Sequence, residues 1–321
     1  MKRTPSPKTS TIADADSLAR IQRTVLDWYA REQRDLPWRR TADPYAILVS
    51  EVMLQQTGVE RVLPKYTQFL SRFPTFQALA SADAADVIRA WSPLGYNRRA
   101  VNLHRLAREV AAGGGRLPET LDGLLALPGI GPYTARAVAC FALRREVAVV
   151  DTNVRRVLAR VLLGEPLPTS PPKRIDALAE SALPTGSAYD WNQALMDLGA
   201  TVCMAERPSC QLCPVRAECR AYPTLALTGG VAPERAVRES RAVYRVQGPF
   251  KQSTRYYRGR IVDALRALPP DGWLTLDALG LAVKPGYTSK DAVWLRALVD
   301  ALARDGLVLA EDGGETRVRL P

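Results

Sequence analysis

The sequence predicts a mainly α-helical protein that ends in a small module of helices and strands. Apolar residues recur at helical spacing along most of the chain, and no run of alternating apolar and polar residues precedes residue 240. The last segment changes character, because two helical patterns there precede two short apolar stretches joined by glycines. The 321 residues, 47% of them hydrophobic, suffice for two or three domains with ordinary cores.

The chain is strongly basic, with a net charge of +11. Such a charge suits a polyanionic partner, because each neutralised phosphate releases counterions. Residues 206–260 hold 11 basic and 4 acidic side chains, whereas residues 261–321 hold 7 and 9. No stretch is long and apolar enough to span a bilayer. Residues 1–16 predict a disordered tail rather than a signal peptide, so we expect a cytosolic protein.

Helical periodicity begins with an amphipathic segment at residues 17–34. Asp43 and Pro44 have the residue types of an N-cap and a first helical residue. The helix that follows, up to about Gln55, is apolar nearly all round and should be buried, with Glu51 in its middle. Further helices are predicted at 64–71, 84–91, 98–112, 121–127 and 133–143, and from 152 onward.

The end of the chain predicts a linker and a winged-helix-like module. Residues 224–255 contain paired glycines, a proline and many charges, which are typical of a linker. The order helix, helix, hairpin in residues 256–321 is that of a winged helix. Its predicted elements are helices at 257–268 and 289–304 and strands at 307–309 and 318–320.

Four of the five cysteines lie within 17 residues, with the spacing C-x6-C-x2-C-x5-C. They are Cys203, Cys210, Cys213 and Cys219. A tight cysteine cluster in a cytosolic protein binds metal more often than it forms disulfides. Four thiolates can hold a tetrahedral zinc ion or a [4Fe–4S] cluster, and chemistry alone does not choose between them. Cys140 lies apart on an apolar helix face, where we expect a buried, inert thiol.

A glycine-rich turn containing Gly129 and Gly131 joins two predicted helices. Glycines let the backbone approach a phosphate closely, and the next helix offers free N–H groups to it. Twenty residues after Gly131, Asp151 opens a further helix, where an N-cap role explains it. The helix dipole keeps a carboxylate ionised at this position, and an ionised carboxylate can stabilise an oxocarbenium-like sugar.

These motifs together resemble a known family. The cysteine spacing, and the hairpin followed by Asp151, resemble the endonuclease III and MutY branches of the helix–hairpin–helix DNA glycosylases. The resemblance to MutY-like adenine DNA glycosylases of the HhH-GPD superfamily covers about residues 20–225. The segments that carry it, in family order, are 35–39, 44–45, 50–57, 94–96, 127–134, 151–154 and 191–200.

The resemblance implies the HhH-GPD fold and a [4Fe–4S] cluster on the four cysteines. The implied DNA glycosylase region is 17–223, with a six-helix barrel at about 37–147 and an iron–sulfur domain made of about 17–36 and 148–223. The implied role of the cluster is structural. It would order a loop whose basic side chains can face phosphates, namely Arg207, Arg216 and Arg220.

The resemblance also implies roles for single residues. Glu51 matches the general acid that protonates the adenine leaving group, and an apolar helix should raise the pKa of its carboxyl. Asp151 matches the carboxylate that stabilises the sugar cation, and Tyr133 and Asn153 match residues beside that intermediate. The other matches are Arg39 and Gln193 for the adenine pocket, and Gln56 and Tyr96 for wedges that enter the base stack.

Tyr133 bears on the reaction type. Bifunctional relatives resembling endonuclease III have a lysine at this position, and without an amine no Schiff base can form. We therefore predict a monofunctional glycosylase that leaves an abasic site. A thymine or uracil glycosylase for T:G or U:G mismatches is the alternative, although Gln193 and the Gln55-Gln56 pair favour adenine. A non-enzymatic DNA-binding or redox-sensing module is a third hypothesis, which the co-occurrence of Glu51 and Asp151 opposes.

The C-terminal module departs from the family pattern. Typical MutY-like enzymes end in a Nudix-related domain that recognises oxidised guanine, so the preference between 8-oxoguanine and guanine stays open. The charge of the module also leaves open whether it contacts DNA or another partner. The implied partner of the whole chain is double-stranded DNA containing a mismatch. We expect a monomer in the bacterial cytoplasm, associated with the nucleoid.

Overall fold

Residues 14–227 and 250–321 are described by a computed structural model of the chain. The helices of the first stretch are α1 (Ala15–Glu32), α2 (Pro44–Leu54), α3 (Val59–Arg72), α4 (Phe76–Ala80), α5 (Ala84–Ala90), α6 (Arg98–Ala112), α7 (Leu121–Leu125), α8 (Pro132–Phe141), α9 (Thr152–Leu158), α10 (Pro172–Ser181), α11 (Ala188–Thr201) and α12 (Tyr222–Leu227). The second stretch contains α13 (Thr254–Arg266), β1 (Leu274–Thr275), α14 (Leu276–Val283), α15 (Ala292–Arg304), β2 (Leu309–Glu311) and β3 (Arg317–Arg319). Short 3-10 turns cover Pro37–Arg39, Cys210–Leu212, Phe250–Gln252 and Ser289–Asp291, and a π-helical turn, Ala159–Leu163, continues α9.

The chain folds into two compact units. The described part of the first unit comprises residues 14–35 and 135–227, and that of the second comprises residues 36–134 and 250–321. Each unit is therefore built from segments that are distant in the sequence. In these ranges every helix is too short or too polar to cross a lipid bilayer.

The first unit has its core around α11, which packs against α1 and α9. Trp191 of α11 is buried in one apolar cluster with Val25 of α1 and Ile175 of α10. The buried carboxylate of Asp197 accepts hydrogen bonds from the backbone N–H of Arg34 at 3.0 Å and from its guanidinium Nε at 2.6 Å. These two bonds fix the chain after α1 to α11.

The second unit is organised by α2 and α6. Every residue of α2 from Tyr45 to Met53 is buried, as the apolar sequence predicts, and Glu51 is among them. Asp43 caps this helix by accepting from the N–H of Tyr45 at 3.0 Å. α2 packs against α3 and α6, and α4 and α5 also pack against α6. The helix that carries Glu51 is therefore surrounded by other helices.

The C-terminal residues belong to the second unit. α13, α14 and α15 pack on one another, and an antiparallel sheet with the order β1-β3-β2 closes the module. The apolar cluster of the module includes Ile88 of α5 and Val101 of α6. Arg266 of α13 donates to the carbonyl oxygen of Ile88 at 3.0 Å and to the side chain of Asn97 at 2.8 Å. The module is therefore joined to the helices beside it by both packing and hydrogen bonds.

The mainly α-helical fold with a small C-terminal sheet is confirmed. The start predicted for the helix at 64–71 is wrong, because α3 begins at Val59 and contains Pro64 in its interior. A proline there removes one backbone hydrogen bond. The buried side chains of Val62, Tyr66 and Phe69 lie at helical spacing on either side of Pro64, and their burial compensates for that loss.

Some helices were not predicted, and two further predictions fall wholly or partly outside the described residues. α4, α10, α11 and α14 are not among the predicted helices; α10 follows a run of prolines, and α14 is apolar without a clear stripe. The linker predicted at 224–255 lies mostly at 228–249, outside the described residues, and its two flanks are helical in α12 and α13. The tail predicted at 1–16 lies outside them up to residue 13.

Candidate active site and cysteine cavity

Glu51 and Tyr133 meet within the second unit. The hydroxyl of Tyr133, in the first turn of α8, donates to Oε2 of the Glu51 carboxyl at 3.2 Å. Glu51 is 6% exposed. Beside it, Gln55 ends α2 and donates to the hydroxyl of Thr134 at 3.1 Å. Two successive residues of α8, Tyr133 and Thr134, therefore bind Glu51 and Gln55, the two residues of this region that are predicted to lie in the site.

The two predicted wedge residues share an unusual backbone conformation. Gln56 has φ = 58° and Tyr96 has φ = 46°, in the left-handed region that non-glycine residues rarely adopt. Gln56 is exposed, and the Tyr96 side chain is 41% exposed although it is a large aromatic group. Strained backbone at exposed side chains persists only where neighbouring groups hold it in place.

Arg99 supplies that restraint. It is 8% exposed, and its guanidinium donates six hydrogen bonds, two to the end of α2 and four to the loops that contain Gln56 and Tyr96. The acceptors are the carbonyl oxygens of Val52 (3.1 Å), Met53 (2.9 Å), Gln55, Leu94 (3.5 Å) and Gly95 (3.2 Å), and the hydroxyl of Thr57 (3.0 Å). Burial lowers the pKa of Arg99 to about 10, so the group stays charged at neutral pH. One cation therefore fixes both wedge loops.

The glycine hairpin lies between α7 and α8, and its two glycines have different constraints. Gly129 has φ = 77°, and a Cβ there would lie 2.7 Å from the Cβ of Asn102. Gly131 has no such conformation, and nothing lies within 4 Å of where its Cβ would be. The protein itself therefore requires glycine at 129. At 131 the space beside the backbone is open, and the approach of a phosphate there stays a prediction.

Asp151 and Asn153 lie together in the first unit. Asp151 is the N-cap of α9, and its Oδ1 accepts from the N–H of Val154 at 2.7 Å. Its Oδ2 accepts from the amide of Asn153 at 2.9 Å. Both carboxylate oxygens therefore bind donors at the N-terminus of α9, which fixes the orientation of the carboxylate.

Asn192 positions the segment before Asp151, a role that sequence motifs did not reveal. Its side chain accepts from the N–H of Val149 at 2.8 Å and donates to the carbonyl of Val147 at 3.0 Å and that of Ala188 at 2.8 Å. Asn192 belongs to the matched segment 191–200, yet only its partners in space disclose the function. It is 1% exposed, and the neighbouring Gln193 is also buried.

Arg156 links Asn153 to the cysteine loop. Its guanidinium donates to Oδ1 of Asn153 at 2.8 Å, to the carbonyl of Gly199 at 2.7 Å and to the carbonyl of Cys203 at 2.8 Å. A Cβ on Gly199 would lie 2.6 Å from the Cβ of Asn153, so α9 and α11 can approach this closely only with glycine there. Asn153, which binds the candidate sugar-stabilising Asp151, is thus held in place by Arg156 and by its close packing against Gly199.

The four clustered cysteines line one cavity of the first unit. Most of the other lining groups are apolar, and Arg160 is among the exceptions. Burial raises the thiol pKa of Cys213 to about 12 and that of Cys219 to about 11. Forming thiolates there thus requires a compensating positive centre. In residues 14–227 and 250–321, no three His, Cys, Asp or Glu side chains are placed to hold a single metal ion.

A buried arginine on the π-helical turn organises this cysteine loop. Arg160 is fully buried and donates to the carbonyls of Met204 at 2.7 Å and Ala205 at 2.8 Å. Its own carbonyl accepts from the backbone N–H of Ala221 at 3.0 Å, because the wider π turn leaves this oxygen available. Both ends of the cysteine segment are therefore tied to α9 and its continuation.

The predicted site residues are divided between the two compact units. Arg39, half-buried at the end of a 3-10 turn, belongs to the second unit with Glu51, Tyr133 and both wedges. Asp151, Asn153, Gln193 and the four cysteines belong to the first unit. That Glu51 and Asp151 serve one reaction stays a prediction. Cys140 is buried, as predicted, and its sulfur lies 3.3 Å from the amide nitrogen of Asn192.

The chain is similar in sequence to known DNA repair proteins. Residues 49–184 match the HhH-GPD superfamily of base excision DNA repair proteins. An adenine DNA glycosylase of Mycolicibacterium smegmatis is 41% identical over 90% of this chain and 96% of its own length. The chain belongs to the adenine DNA glycosylase family. It is therefore a DNA glycosylase of base excision repair, and DNA is its partner.

Solved structures agree with this family. A thermostable thymine-DNA glycosylase superposes on the glycosylase with a TM-score of 0.62 and 33% identity, covering 66% of this chain and 99% of the other. Endonuclease III in a non-covalent DNA complex has a TM-score of 0.57 and 20% identity, covering 65% of this chain and 96% of the other. The second likeness shows the shared fold and thereby confirms the predicted HhH-GPD architecture.

The two hairpin glycines of the glycosylase should respond differently to alanine. Gly129→Ala places a side chain in a left-handed conformation against Asn102, so we expect it to lower the free energy of unfolding by at least about 1 kcal/mol. Gly131→Ala should leave unfolding unchanged but weaken binding to a DNA duplex. Urea denaturation and duplex titration measure the two effects. Equal destabilisation by both variants would contradict the assignment.

Arg99→Lys tests the restraint on the wedge loops. Lysine keeps the charge, but its three donors cannot reach the six acceptors that the guanidinium fork binds. We expect a loss of about 2–4 kcal/mol in the free energy of unfolding, from hydrogen bonds that are no longer made. Arg61→Lys is the matched control, because the exposed Arg61 makes one bond, to the Pro93 carbonyl at 2.8 Å, among the described contacts. If both variants lose equal stability, Arg99 has no special role.

Proposed function

We propose that the protein hydrolyses the N-glycosidic bond of adenine mispaired with guanine or 8-oxoguanine. The observation that carries the proposal is the buried Glu51 carboxyl in contact with the Tyr133 hydroxyl, in a chain 41% identical to a named adenine DNA glycosylase. A buried carboxyl favours its neutral form, which is the form that can donate a proton. The protein would act as a monomer on a duplex that contains the mismatch.

The proposed reaction divides the work between two carboxyl groups. The Glu51 carboxyl protonates the extruded adenine, the bond between the base and the sugar breaks, and its electron pair leaves with the base. The Asp151 carboxylate, oriented by its two hydrogen-bond donors, stabilises the positive charge that develops on the sugar. A water molecule then adds to the sugar carbon and loses a proton, which leaves an abasic site.

Other predicted residues would position the substrate. Arg39 and Gln193 would line the adenine pocket, and Gln56 and Tyr96 would fill the space that the base vacates. Asn153 is supported in its role beside the sugar by its hydrogen bond to Asp151. Because Tyr133 offers a hydroxyl where bifunctional relatives have an amine, the enzyme would have little or no strand-cleaving activity.

Single-turnover release from duplexes with A:8-oxoG, A:G, T:G and U:G tests the proposal. We expect release of adenine, and a fall of roughly 100-fold or more for Glu51→Gln and for Asp151→Asn, because each removes a group used in the transition state. Glu60→Gln and Asp176→Asn are matched controls at exposed positions and should keep the wild-type rate.

Specific outcomes would contradict each part. Release from T:G and U:G alone would instead favour the thymine or uracil activity, for which the 33% identity to a thymine-DNA glycosylase is the supporting observation. Full activity of either carboxyl variant would remove that residue from the mechanism. Efficient borohydride trapping of the enzyme on DNA would show an imine, and the monofunctional assignment would fail.

We also propose that Cys203, Cys210, Cys213 and Cys219 hold a [4Fe–4S] cluster. One observation supports it: all four thiols line one largely apolar cavity. Each cysteine of a four-iron cluster binds a different iron, so its ligands surround a volume instead of a point. The cluster would order the loop that carries the exposed Arg207, Arg216 and Arg220.

Metal analysis and the visible absorbance of the purified protein test the cluster. We expect a brown protein with about four irons per chain. Cys213→Ser should lose most of the iron, whereas the control Cys140→Ala should keep it, since Cys140 does not line the cavity. A colourless protein with one zinc ion per chain would favour the zinc alternative.

A further inference from the structure

The C-terminal module faces the wedge loops across an open cleft of about 1490 Å³ in the second unit. Gln56 and Tyr96 line one part of this wedge cleft, and α13 lines another. Seven arginines and two aspartates are the charged residues that line it. A cleft with this excess of positive charge attracts a polyanion.

Charge within the module is unevenly distributed. α13, residues 254–266, contains four arginines and one aspartate, a balance of +3, whereas residues 267–321 contain six basic and eight acidic side chains, a balance of −2. The balance of −2 over residues 261–321 therefore leaves out three of the four α13 arginines, Arg255, Arg258 and Arg260, which precede residue 261. Nine residues of the helix, all four of its arginines among them, line the wedge cleft, whereas the remainder contributes Leu302, Asp305 and Leu307.

Two of the four α13 arginines form ion pairs within the folded unit. Arg258 pairs with Asp305 at 2.5 Å, and Arg266 pairs with Asp263 at 2.7 Å while it also binds α5 and the loop before α6. Arg255 differs. It is exposed, and within residues 14–227 and 250–321 it forms no ion pair; its guanidinium lies 4.2 Å from the ring centre of Tyr96 and 5.9 Å from that of Phe250.

Arg255 therefore contacts the exposed aromatic side chain that we assign to wedge insertion. The ring of Tyr96 also has Arg99 nearby, at 5.3 Å, so two guanidinium groups restrict it. An arginine stacked on an aromatic ring keeps its N–H groups free for phosphate oxygens. Such a group can bind the backbone and hold the ring at the same time.

We propose that α13 is part of the DNA interface, where Arg255 binds a backbone phosphate beside the extruded nucleotide and orients Tyr96 for insertion. This inference rests on the proposed function, since it assumes that Tyr96 enters a duplex. It assigns DNA contact to the C-terminal module. The likeness to the Mycolicibacterium smegmatis glycosylase covers 90% of this chain, so it extends well beyond the catalytic region.

Duplex binding as a function of salt tests the phosphate contact in the full-length protein. Each phosphate neutralised contributes about 0.9 to the slope of log affinity against log salt. Arg255→Ala and Arg255→Gln should each reduce that slope by about one, and Arg255→Lys should keep it. Arg317→Ala is the matched control, because it removes one charge from β3 of the same module and does not line the wedge cleft.

Single-turnover excision tests the contact with Tyr96. Arg255→Ala and Arg255→Lys should both excise about 2- to 5-fold more slowly, because neither residue reproduces the planar stacking of the guanidinium. A slope and a rate for Arg255→Ala and Arg255→Gln that match those of Arg317→Ala would overturn the proposal. The slope is measured on an undamaged duplex, so it decides the interface even if the wild-type protein releases no adenine and the proposed function fails.

Discussion

The geometry of the second unit depends on the hydrogen bonds of one buried guanidinium, that of Arg99. Burying this charge requires hydrogen-bond acceptors, and those of its two terminal nitrogens come from the end of α2 and from the loops that carry Gln56 and Tyr96, while Nε has no partner among the described contacts. Those loops must turn their carbonyl oxygens inward, which places both wedge residues in left-handed backbone conformations. The same arrangement leaves their side chains facing outward, where a duplex can meet them.

In the first unit, too, a buried guanidinium binds backbone carbonyl oxygens, here those of the cysteine loop. Arg160 is buried without a carboxylate among the partners described, and it is neutralised in effect by backbone carbonyl dipoles from residues 203–205. The π-helical turn that carries it frees further carbonyls, which then accept from the segment after Cys219. Asn192 plays a comparable part for the segment before Asp151. The segments that carry the proposed catalytic and ligating groups are thus held by buried polar side chains.

The setting of some candidate site residues could be predicted from the sequence because it is local, whereas their roles came from the family resemblance. Asp151 caps its own helix, and the residue type at that position alone predicts this N-cap. Glu51 lies among apolar neighbours on one helix, so its burial follows from the residues on either side of it. The positions of Arg99, Arg156, Arg160 and Asn192 could not be found in this way, because an arginine or asparagine at a helix position is ordinarily solvated.

By itself, the sequence determined the helical class, the N-terminal bounds of several helices, the buried setting of Glu51 and the grouping of four cysteines. All of these depend on residues within a few turns of one another, where spacing and capping chemistry suffice. Only the tertiary structure decided which carbonyl oxygens meet each buried arginine, and that the basic helix of the C-terminal module lies against Tyr96. Those contacts join residues that are far apart in the chain. Neither the periodicity of apolar residues nor the net charge of a segment predicts which distant residues meet in the folded protein.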